Sequence, residues 1–168
     1  TNITRFAADT ELGLKLVNNG KRIVFLRDLE VVHLKRYSFI AFIKNDFRIP
    51  FAWAQIFIEQ KGFKYLFKHK TGFAHSSTRQ IMSIITAFFI LTAGIFFALN
   101  RYSLYPFLSL IIVYCILNYH FFVFLAREKG LFFGFSSIFI TFLDNLIMFF
   151  GISCGFLTKL KYLLNAGR

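Results

Sequence analysis

The sequence predicts a short α/β segment, then basic amphipathic helices, then an α-helical membrane domain of two to three transmembrane helices. Three observations carry this. The 168 residues are 57% hydrophobic and 20% aromatic, with 26 Phe, against about 45–50% apolar in soluble domains. The charge is uneven: residues 1–79 hold 14 of the 20 Lys/Arg and 6 of the 8 Asp/Glu. The front also has the punctuation of a soluble chain, whereas the back is built of long uncharged runs.

Residues 1–36 form the first region. In ADTELGLKLVNNGKR, Asp9 or Thr10 suits a helix N-cap and Glu11 the first turn. Leu12, Leu16 and Val17 give an apolar face, and Gly20 a C-terminal stop. Lys21 to Leu26 then reads as a strand and Leu29 to Val32 as a second, shorter one. A helix–strand unit of this size needs a sheet to pack on. The chain opens on Thr1 rather than Met, and it reads as the later part of a longer protein.

Residues 37–79 form the second region. Phe39, Phe42, Ile43 and Phe47 recur at helical spacing, with Lys44, Asn45 and Asp46 between them. Pro50 is expected to break or kink this helix. The following FAWAQIFIEQKGFKYLF interleaves aromatics with lysines, a composition that favours the headgroup layer of a bilayer.

Residues 80–157 form the membrane region, with spans at about 80–99, 103–126 and 134–157, and residues 158–168 are a tail. A helix crosses the hydrocarbon core in about 20 residues. The first two segments satisfy this without a charge, and Asn100 to Ser103 leaves room only for a tight hairpin. The third contains Asp144 and either spans or re-enters. The positive-inside rule places Lys68, Lys70 and Arg79 in the cytoplasm. Three full spans then put Lys159, Lys161 and Arg168 on the opposite side. Asp144 is costly within a span. Asn118 and His120 lie at matching depth on the preceding span, and the expectation is a polar knot among the three.

Several function classes drop out. The net charge of +12 fits an anionic membrane surface. No zinc, RNA-binding or helix-turn-helix signature argues for nucleic acid. Cys115 and Cys154 lie in apolar runs and read as small hydrophobes, not as a disulfide framework or a metal site. The N-terminal TNITRFAADTELG has no apolar core of the signal-peptide kind.

The pattern Asp9-Thr10-Glu11-Leu12-Gly13, with Leu16 and Gly20 following, then a strand, then Val31-Val32-His33, then basic aromatic helices and membrane spans, resembles the C-terminal part of membrane-anchored family 2 glycosyltransferases. Arg127-Glu128-Lys129-Gly130 before a Phe-rich run also resembles their membrane tails. The resemblance implies an A-type nucleotide-diphosphosugar fold, of which residues 1–36 would be the end. It implies inverting transfer of a sugar from a nucleotide-sugar donor to a lipid, lipid-linked or glycan acceptor. Asp9 matches the family's general base, although Ala8 stands where the family carries Glu. A helix N-terminus favours negative charge, and a carboxylate within reach of an alcohol acts as base. His33 is the implied substrate-binding residue, facing the metal or diphosphate, and Arg48, with Lys44, is a candidate to contact a diphosphate or a lipid phosphate by its charge. A divalent cation, Mg or Mn, is implied for the whole enzyme, held mainly by residues outside this chain. Asp9-x-Glu11 opens a helix instead of ending a strand, so it is not the metal motif. Arg48 is not followed by Trp and is preceded at three positions by Asn45, so the Q-x-x-R-W motif of processive synthases is absent. The alternative class is a non-enzymatic integral membrane protein, a transport or assembly subunit with a basic cytoplasmic region.

Overall fold

A computed structural model describes residues 8–24, 26, 28, 38–59, 77–99 and 104–166. Among these residues are five helices: α1 (Ala8–Asn18), α2 (Phe39–Glu59), α3 (Thr78–Ala98), α4 (Leu104–Lys129) and α5 (Leu131–Ala166). The chain divides into two compact units, residues 1–62 with 151–168 and residues 63–150. Helix α5 runs unbroken and contributes to both.

In the first unit, α1 begins at Ala8, so Asp9 lies inside the first turn and does not form the cap. Glu11 pairs with Lys15 at 2.6 Å, one turn apart. Gly20 ends the helix at φ 69°. Its N–H bonds to the Val17 carbonyl, and the Lys21 N–H bonds to that of Leu16, the double closure of a Schellman turn. Helix α2 packs along the second half of α5. Cβ atoms placed on Gly151 and Gly155 would collide with the backbone carbonyls of Phe47 and Phe51. These two glycines, four apart, let the two backbones meet, the small-xxx-small solution for helices in lipid. Phe57 meets Phe156 edge-on nearby, and Lys159 closes the seam on Glu59.

In the second unit, Gly94 of α3 faces Phe107 of α4, and Ser83 faces Asn118. The two helices are therefore antiparallel. Gly130 alone joins α4 to α5, at φ 94°. Its N–H caps the Ala126 carbonyl at 2.9 Å. Gly134 then lets α5 start back along α4, where a Cβ would come within 2.7 Å of Ala126 Cβ. Ala87, Ile90, Tyr114, Phe122 and Leu146 form the core, and Phe88 stacks on Phe149 with ring centres 4.2 Å apart.

Helices α3, α4 and α5 are each long and apolar enough to cross a membrane, which marks the chain as a membrane protein. Their outward residues are large and apolar, among them Phe89, Ile112, Ile116 and Phe132, as a lipid-facing surface requires. The stretch LFFGFSSIF is the helical start of α5.

Two expectations are corrected. The α/β fold is overturned: about 90% of the described residues are helical, and none is in a strand. Residues 21–24 and 26 are coil, with Ile23 and Val24 more than 60% exposed. A strand needs a ladder partner, and none exists among the described residues. No end of an A-type domain is therefore present there, and the second strand, Leu29 to Val32, lies outside them. Pro50 does not break the second helix. Helix α2 continues through it to Glu59, with Pro50 buried.

Candidate functional site

Of the three residues expected to act on substrate, Asp9 is exposed on the first turn of α1, and Arg48 is exposed on α2. Neither lines the cavities described below. His33 lies outside the described residues. Among the described residues, no three His, Cys, Asp or Glu side chains converge on a possible metal position.

The concentrated polar chemistry is in the second unit. Ser83 is buried on α3; its hydroxyl donates to the Arg79 carbonyl at 2.9 Å. The same oxygen accepts from Asn118 Nδ2 of α4 at 3.0 Å. Asn118 Nδ2 also donates to the Tyr114 carbonyl at 2.9 Å. The Tyr114 hydroxyl accepts from Asn145 Nδ2 of α5 at 2.9 Å. Tyr114 and Asn145 are 2% and 3% exposed. This chain of contacts, two hydrogen bonds between helices joined through the body of Tyr114, ties three apolar helices, in a medium where an unmet polar group is expensive.

Beside this chain lies a cavity of about 340 Å³ whose lining includes Arg79, Gln80, Asn118, His120, Asp144 and Asn145. Asn118, His120 and Asp144, expected to gather at one depth, do line one space. Asn145, the neighbour of Asp144, reaches across to Tyr114. Ser83, Tyr114 and Asn145 are not singled out by the sequence, and Arg79 stands out there only as a flanking charge. The available signal was the recurrence of small polar residues among apolar ones on each span. A second cavity of about 560 Å³ shares Arg79, Leu117 and His120 with the first and continues along Ile111, Ile112, Cys115 and Ile116. The arrangement is an apolar groove that opens into a polar, charged pocket. Comparison with protein-family models, with curated proteins and with solved structures gives no match.

Proposed function

We propose that this chain is the membrane-bearing part of a glycosyltransferase that moves a sugar from a nucleotide-sugar to a lipid or lipid-linked acceptor, with Asp9 as general base. The observation that carries this reading is an exposed carboxylate in the first turn of a soluble-type helix, within Asp9-Thr10-Glu11-Leu12-Gly13, followed by an aromatic helix and three membrane-length helices. In the proposed step Asp9 takes the acceptor hydroxyl proton. The acceptor oxygen attacks the anomeric carbon, and the nucleoside diphosphate leaves from the opposite face, inverting the centre. Arg48 and His33 would steady the diphosphate, with the divalent cation and most of the donor contacts supplied from outside the chain. The α1 side would face the cytoplasm.

The test is release of nucleoside diphosphate from a panel of nucleotide-sugars by the natural-length protein in membranes, wild type against Asp9→Asn. Loss of a general base is expected to cost about 10²–10⁴ in turnover, with donor binding retained. Undiminished turnover in the variant would remove Asp9 from the chemistry. The second reading, a non-enzymatic membrane protein, draws on the all-helical character of the described residues. Absence of turnover with every donor would favour it.

A further inference from the structure

We propose that the paired cavities of the second unit bind a phospholipid whose headgroup carries both a phosphate and a primary ammonium. The argument runs along the groove from its apolar end. Ile112, Ile116 and His120 follow one another at four-residue spacing on α4. They extend over about 12 Å at 1.5 Å per residue, and Ile111 and Cys115 complete an apolar track for a hydrocarbon chain. Arg79 and His120 stand where the track meets the polar pocket, since both line the two cavities. A guanidinium there matches a phosphate, to which it donates in a planar fork. Asp144 lines only the polar pocket, beyond that junction. The order is apolar, then cationic, then anionic, which is the order of acyl chain, phosphate and ammonium in phosphoethanolamine lipids.

Charge complementarity selects this occupant over other lipids. A purely anionic headgroup would bring its charge against the Asp144 carboxylate. A trimethylated ammonium has no N–H to give that carboxylate. A primary ammonium has three. A carboxylate offers about four lone-pair positions, so an internal bond at Asp144 is compatible with the ligand. Gln80 and Asn118 add amides around the pocket. The proposal does not depend on sugar transfer.

The delipidated full chain in detergent would be titrated separately with dioleoyl phosphatidylethanolamine, phosphatidylcholine and phosphatidylglycerol, with retained lipid counted by native mass spectrometry. Phosphatidylethanolamine is expected to bind at least about tenfold more tightly than the other two, the scale of one charge-assisted hydrogen bond. Asp144→Asn should erase that preference over phosphatidylcholine, and Arg79→Gln should weaken all three lipids. Free phosphoethanolamine at the same concentration should not displace the lipid. Equal wild-type affinity for phosphatidylethanolamine and phosphatidylcholine, tighter binding of phosphatidylglycerol, or displacement by the free headgroup would each overturn the proposal. These arms use wild-type protein and so stand even where a variant fails to fold.

Discussion

The two units hold their helices together by different means. Between α2 and the second half of α5 the contact is backbone against backbone, made possible by Gly151 and Gly155. Among α3, α4 and the first half of α5 it includes two side-chain hydrogen bonds between helices, Asn118 to Ser83 and Asn145 to the Tyr114 hydroxyl, with Asn118 also held on the Tyr114 carbonyl. Lipid tails are as apolar as Leu, so apolar burial alone does not select one helix pairing over another in a bilayer. What remains is shape at very short range, or polar groups that have no better partner. The glycine contact dominates the first unit, and the second unit adds buried side-chain hydrogen bonds to its own Gly134–Ala126 approach.

The comparison is broken most sharply at the glycine seam. Gly151→Leu together with Gly155→Leu forces side chains into the Phe47 and Phe51 carbonyls. Overpacking of this kind costs about 1–3 kcal/mol per site, and the apparent Tm in detergent should fall accordingly. A tolerant double variant would mean that α2 does not rest on α5 through its backbone. Tyr114→Phe is expected to be milder, about 1–2 kcal/mol, because it leaves the buried Asn145 amide without its acceptor. Combining it with Asn145→Leu should recover part of the loss, and strictly additive effects in that cycle would dissolve the link. The smallest effect is expected in the opposite direction. Gln55 is 2% exposed on α2, and its Oε1 has no hydrogen-bond partner among the described residues. Gln55→Leu should raise stability by at most about 1 kcal/mol, read in the same thermal assay.

Much of the architecture was legible in the sequence, and the exceptions have physical reasons. The uncharged runs marked α3 and α4 because length and charge alone decide whether a helix suits hydrocarbon. Gly20 marked the end of α1 because a left-handed residue is needed there. Lys21 to Leu26 misled because β-rich composition describes a side chain's fitness for a sheet, whereas a strand exists only with a neighbour. Pro50 misled because the loss of one N–H is a local cost, and the periodic residues on both sides continue the helix. The spacing Gly151-x-x-x-Gly155 was visible but merged into a Phe-rich run, and only the approach of α2 gives it meaning. In the polar pocket, Asp144, Asn118 and His120 stood out by type. The choice of Asn145 over Asp144 as the partner of Tyr114 depends on which face of α5 turns inward, and that face is fixed by packing.

The single-residue junction at Gly130 has a consequence for how this protein can change over time. A surface loop absorbs insertions with little cost. Here each added or deleted residue would turn α5 by about 100° about its axis relative to α4, because a helix repeats every 3.6 residues. Asn145 would swing away from Tyr114. The junction works as a phase setting for the first half of α5, so natural variation in length should collect elsewhere in the chain and leave this hinge at one residue.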